Sequence, residues 1–147
     1  MLFFFYGTLL DGSDNAIAAW VHERLQAVGP ATVEGILEAV PDPDGWYPAL
    51  LAGDGQVHGR LYESVEGFGA ADLARLDAYE NYDPARPDRS LYLRETCTAT
   101  APDGTLCEAQ AYRFNRPLPD GSHPIPSGDF RSWLEEQGVR AFGGLRE

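Results

Sequence analysis

The feature that most constrains the fold lies in the second half of the chain. Two strand-like runs, 90–100 and 105–114, meet at Pro102-Asp103-Gly104, a composition that reverses a chain tightly and pairs its flanks as an antiparallel hairpin. Upstream, residues 31–40 set Ala31, Val33, Gly35, Leu37 and Ala39 on one face against Thr32, Glu34 and Glu38 on the other, and 56–63 repeats the pattern with Val57, Gly59 and Leu61. Both read as half-buried strands. Leu2 to Tyr6 is an apolar run that reads as a buried first strand. Trp46 to Leu51 is apolar too, but Pro48 interrupts it, so an edge or loop is expected there, after a turn at Pro41 to Gly45.

Three helices are expected between and after these runs. Ile17, Trp20, Val21 and Leu25 recur at helical spacing behind the cap candidates Ser13, Asp14 and Asn15, which predicts a helix over 15–26 that Gly29-Pro30 ends. Leu73, Leu76 and Tyr79 or Glu80 predict a second over 69–80. Ser127 can cap a short third one carrying Phe130, Trp133 and Leu134, after the proline-rich loop 117–126. No repeat or low-complexity linker divides the chain, so 1–147 is expected to be one α+β domain. The expected core is a mixed, strongly twisted sheet curling into a small barrel, with its first strand central.

Composition narrows the function. The 147 residues suffice to bury roughly two-thirds of the unfolded surface. No apolar run approaches bilayer length, and the apolar start lacks a basic lead-in, so a cytoplasmic protein is expected. The net charge is −12, from 23 acidic residues against 11 basic ones, all arginine. Such a surface repels phosphate backbones and anionic lipids, so neither nucleic acid nor membrane is an expected partner. A lysine nucleophile or Schiff base is excluded. His22, His58 and His123 are isolated, and no metal-ligand spacing occurs. Cys97 and Cys107 flank the hairpin turn and are expected to be reduced.

Three segments could carry chemistry. In Phe5-Tyr6-Gly7-Thr8-Leu9 a strand runs into a glycine, which lets a ligand approach the main chain, and successive N–H groups can form a nest for a carboxylate or a developing oxyanion. The same pattern also serves as a plain strand-to-helix connection. In Leu76-Asp77-Ala78-Tyr79-Glu80 the two acids lie three apart on one helix face, as an acid/base couple or as a solvated edge. In Leu91-Tyr92-Leu93-Arg94 the alternation points Tyr92 and Arg94 the same way, for binding a carboxylate or for an ion pair with Glu80 or Asp77.

Together with Tyr47-Pro48-Ala49-Leu50, Val57-His58-Gly59-Arg60-Leu61-Tyr62 and Ile125-Pro126-Ser127-Gly128-Asp129-Phe130, these segments occur in the order seen in γ-glutamylcyclotransferase-like (AIG2-like) proteins. The chain resembles that family over residues 2 to about 133. The resemblance implies a cofactor-independent enzyme of transferase or lyase type that cyclises the γ-glutamyl group of a γ-glutamyl amine or peptide to 5-oxoproline and releases the amine. It assigns substrate holding to Tyr6, Gly7, Thr8 and Leu9, and acid/base catalysis to Glu80. Tyr47, Tyr92 and Arg94 are further candidates for substrate binding. Asn81 departs from the family, many members having glycine after the glutamate.

Two other readings share these residues. One is a non-catalytic small-molecule binding module with the same cavity, favoured if Glu80 points into solvent. The other is a cyclotransferase of secondary metabolism that removes an acyl-γ-glutamyl protecting group. The leaving group and the oligomeric state are not encoded legibly.

Overall fold

The computed structural model describes residues 1–10, 12–13 and 15–142. Six strands and three helices follow in the order β1 (Leu2–Phe5), α1 (Ala16–His22), β2 (Leu25–Asp42), β3 (Gly45–Ser64), α2 (Ala70–Tyr79), β4 (Tyr92–Thr100), β5 (Leu106–Phe114), β6 (His123–Pro124) and α3 (Phe130–Gln137). The sheet order is β3-β1-β5-β4-β2-β6, and β2 also pairs with β3, so five strands close into a mixed barrel-like sheet. β1 is central, antiparallel to β3 and parallel to β5. Its alternation divides the core: Phe3 and Phe5 pack with Tyr62, Leu76 and Tyr92 on one side. Phe4 and Tyr6 pack with Leu37, Leu61 and Phe130 on the other.

The expected hairpin forms in register from Tyr92↔Phe114 to Thr100↔Leu106. Cys97 and Cys107 are free and face Ala109 and Ala99 across the ladder. Burial, with Cys107 nearby, pushes the Cys97 thiol up to about 11, which keeps it protonated at neutral pH.

The first helix stops at His22 rather than continuing to residue 26, because Leu25, Gln26 and Ala27 pair with Ser64, Glu63 and Tyr62. Leu25 fits a helical stripe and a strand face equally, and the long ladder with β3 takes it. Gly29-Pro30 therefore sits inside β2, past a register shift between Ala27 and Gly29. Of the edge or loop expected at 46–51, the structure has the edge, within β3. Pro48 is accommodated because it pairs with Ala39 of β2, whereas β1 meets β3 only at 60–63, so the missing N–H falls where the strand has an edge.

Caps set the helix ends. Asn15 caps α1 through Oδ1, which accepts from the Ala18 N–H at 2.7 Å, while the candidate Asp14 lies outside the described residues. Asp129, not Ser127, caps α3, accepting from the Ser132 N–H at 3.1 Å. Just before it, Gly128 has φ +70°, and a Cβ there would lie 1.9 Å from the Gln56 carbonyl oxygen, so only glycine fits. Among the described residues no helix is long and apolar enough to cross a membrane.

Candidate functional site

The end of β1, the end of α2 and the open end of the β4–β5 hairpin converge. Tyr6, Gly7, Thr8, Leu9, Pro48, Glu80, Tyr92 and Tyr112 line a cavity of about 20 Å³, room for about one water molecule. Tyr6 and Gly7 also border larger surface depressions of about 520 and 460 Å³. Tyr6 and Gly7 therefore border both the small cavity and the open depressions.

Gly7 has a packing reason for being glycine. A Cβ there would sit 2.2 Å from Pro48 Cγ and 2.9 Å from Cδ, so the proline of β3 packs directly on the loop backbone. The Gly7 carbonyl accepts from the Leu10 N–H at 3.1 Å, and the Thr8 carbonyl accepts from Asn15 Nδ2 at 2.8 Å. The turn is thereby fastened to the start of α1. The Tyr79 hydroxyl donates to Thr8 Oγ1 at 3.3 Å, tying the loop to α2.

Glu80 is the C-cap of α2, with its N–H donating to Leu76 and Asp77 carbonyls at 3.3 and 3.1 Å. It is 6% exposed and Asp77 is 4% exposed, so the solvated-edge reading does not hold. Asn81, the next residue, has φ 53°. This is the left-handed conformation that glycine adopts at no steric cost and asparagine tolerates better than most residues. The departure from the family's glycine therefore preserves the turn that presents Glu80.

Arg94 pairs with Asp77: Nε donates to Oδ1 at 2.9 Å and Nη2 to Oδ2 at 3.4 Å, while Nη1 donates to Gln110 Oε1 at 2.9 Å. Burial pulls the guanidinium pKa down, but the hydrogen bond and charge of Asp77 raise it overall. Arg94 and Asp77 line an outer groove with Leu73, Tyr82 and Leu91. Tyr92 faces the cavity, and its hydroxyl donates to the Pro48 carbonyl at 2.6 Å. Tyr47 lies behind Tyr92, packed on Phe114 and Phe142.

Tyr112 was not legible as a site residue. Its hydroxyl donates to Asp77 Oδ1 at 2.6 Å, and its carbonyl accepts from the Tyr6 hydroxyl. Burial first, then the Asp77 charge, raise its phenol well above the ordinary range, so it remains a donor. The available signal was the hairpin register about Pro102-Asp103-Gly104, which sets Tyr112 opposite Arg94.

Comparison with solved structures finds ytfP from Escherichia coli at 29% identity and TM-score 0.55, with 93% of this chain and 99% of that one covered. An AIG2-like protein from Mus musculus matches at 21% identity and TM-score 0.61, covering 99% of this chain and 96% of its own. A structure named gamma-glutamyl cyclotransferase matches at 15% identity and TM-score 0.59, covering 100% and 94%. The last two likenesses establish the fold. In three longer matched chains this one spans 42%, 21% and 8% of the length, so the same fold also forms part of larger proteins. Comparison with curated protein sequences finds no match. The profile of the family "Gamma-glutamyl cyclotransferase, AIG2-like" matches residues 3–132, and the chain belongs to that family.

Proposed function

We propose that this chain is a γ-glutamyl cyclotransferase with Glu80 as general acid/base. The observation that carries the reading is the meeting of Glu80 with the loop 6–9 in one cavity, although more than seventy positions separate them in the chain. The α-amino nitrogen of a γ-glutamyl compound attacks its own side-chain amide carbon. A C–N bond forms, closing a five-membered lactam, and the bond to the leaving nitrogen breaks. Glu80 takes the proton from the attacking amine and returns it to the departing amine, so the overall reaction needs no net proton. Holding nucleophile and electrophile in one folded conformer supplies much of the acceleration.

Backbone N–H groups of Gly7 to Leu9 receive the α-carboxylate or the oxyanion. Tyr92 and Tyr112 wall the ring-closing side, with hydroxyls committed to Pro48 and Asp77. Arg94 is likewise committed, to Asp77, which favours loop amides over Arg94 as the substrate's anion holder. The burial of Glu80 removes the circumstance that would have favoured a binding module.

The test is release of 5-oxoproline from a panel of γ-glutamyl amines, γ-glutamyl dipeptides, glutathione and acyl-γ-glutamyl compounds. Turnover of the simple γ-glutamyl amines or peptides is expected. Turnover of the acyl compounds alone would assign the deprotecting role, and no release from any member would overturn the enzyme reading.

A further inference from the structure

Four residues form a continuous chain of bonds from the outside of the barrel to the cavity. Gln110 Oε1 accepts from Arg94, Arg94 grips both oxygens of Asp77, and Asp77 Oδ1 accepts from the Tyr112 hydroxyl, whose ring walls the cavity beside Glu80. Asp77 and Arg94 side chains are 5% and 19% exposed, so this charge pair is held in a poorly solvated place. Asp77 also lies one helical turn before Glu80, where side chains three apart are neighbours.

We propose, resting on the cyclotransferase reading, that Asp77 and Arg94 are positioning residues for Glu80. Arg94 cancels the Asp77 charge beside the working carboxylate, and Asp77 fixes the Tyr112 wall. The ionisable groups on the elements around the cavity among the described residues include Asp77, Tyr79 and Tyr82 of α2 and its end, Tyr6 after β1, His22 of α1, whose ring bonds the Leu9 carbonyl, Arg60 of β3, which pairs with Phe5, Tyr92 and Arg94 of β4, and Tyr112 of β5. Tyr112, its phenol raised by burial and by Asp77, carries no charge near pH 7. Asp77 and Arg94 are two charges of opposite sign whose balance Glu80 senses.

The signs follow. Arg94→Met leaves the Asp77 charge uncompensated, which disfavours the Glu80 carboxylate, so the acid limb of kcat/KM moves to higher pH. Asp77→Asn leaves the cation uncompensated, favours the carboxylate and moves the limb to lower pH. Each shift is expected to be roughly 0.5 to 1 pH unit, the size of a partly screened charge about one helical turn away. The double variant returns towards the parent limb, and Arg94→Lys, which keeps the charge without the fork, stays near it.

The experiment measures kcat/KM against pH for the parent and these four variants, with KM and kcat separated. It is paired with a ¹³C NMR titration of the Glu80 carboxyl, assigned by its loss in Glu80→Gln. Opposite shifts in the two single variants, cancelled in the double, are expected in both readouts. Shifts of the same sign would mean general loosening and would overturn the proposal, as would limbs that do not move. If Arg94→Met does not fold, Asp77→Asn against Arg94→Lys decides the sign. Should the parent release no 5-oxoproline, the function falls, while the NMR titration still decides whether the pair governs Glu80.

Discussion

Two carboxylates one helical turn apart at the end of α2 have opposite surroundings. Asp77 is saturated: a guanidinium fork and a phenol occupy its oxygens on the side facing β4 and β5. Glu80 faces the cavity, in company with a glycine loop and aromatic walls. Burial alone does not distinguish them, since both are nearly inaccessible. The lesson is that burial alone does not say what an acid does: Asp77 is placed to hold the hairpin against α2, whereas Glu80 lines the cavity with the loop 6–9, where the proposed function sets it to meet a ligand.

The strongest way to break this contrast is to exchange the two effects. Glu80→Gln keeps size and much of the hydrogen bonding but removes the base, so kcat for 5-oxoproline release should fall by ~10²–10⁴-fold with KM little changed. Its melting temperature should stay close to the parent's. Glu80→Asp should also be poor, because the shorter side chain withdraws the carboxylate from the amine. Parent-like turnover in Glu80→Gln would remove Glu80 from the mechanism.

Asp77→Ala should act on the other axis. It strands the Arg94 guanidinium and the Tyr112 hydroxyl in a poorly solvated place, and breaking such a pair by deleting one partner costs about 3–5 kcal/mol. Urea unfolding measures it. A loss below about 1 kcal/mol would mean that Asp77 is not the structural member of the pair. Gly7→Ala probes the loop that faces Glu80: with Pro48 Cγ 2.2 Å from the new Cβ, overpacking of about 1–3 kcal/mol is expected. Activity should fall with stability, because Pro48 and the loop must separate. Unchanged stability would show that the loop has room to yield.

How far these positions were legible follows from the range of the forces involved. The hairpin, α2 and the central β1 rest on local periodicity and turn chemistry, which residues 69–114 and 2–6 display plainly. The end of α1 was not legible: Leu25 satisfies helix and strand patterns alike, and only the distant ladder to Glu63 and Ser64 decides. The association of Glu80 with the loop 6–9 was expected through the family resemblance rather than through physics, and the structure brings both to one cavity. Gly7 suggested a ligand's approach, whereas its nearest neighbour is Pro48. The strand alternation offered Arg94 an ion pair with Asp77 or Glu80 and left the choice open, which the structure makes for Asp77; Tyr112 was missed because its hydroxyl meets Asp77 across two elements, although the hairpin register sets it opposite Arg94.

The smallest effect sharpens the contrast at its hinge, Asn81. This residue turns the chain out of α2 directly after Glu80, with φ 53°, its N–H donating to the Ala78 carbonyl at 3.1 Å and its carbonyl accepting from the Leu91 N–H at 3.0 Å. The left-handed conformation costs an ordinary L-residue roughly 1–2 kcal/mol, asparagine less and glycine nothing. Asn81→Ala should therefore lower stability by about 1 kcal/mol. Asn81→Gly should lie within a few tenths of the parent, its relief of strain offset by greater freedom of the unfolded chain. Because both preserve the carboxylate and the loop cradle, kcat for Asn81→Gly and its order of preference across the γ-glutamyl panel should match the parent. A changed order of preference, with stability unaltered, would mean that the asparagine side chain itself reads the substrate, and that this family member differs from its glycine-bearing relatives in specificity rather than in turn geometry.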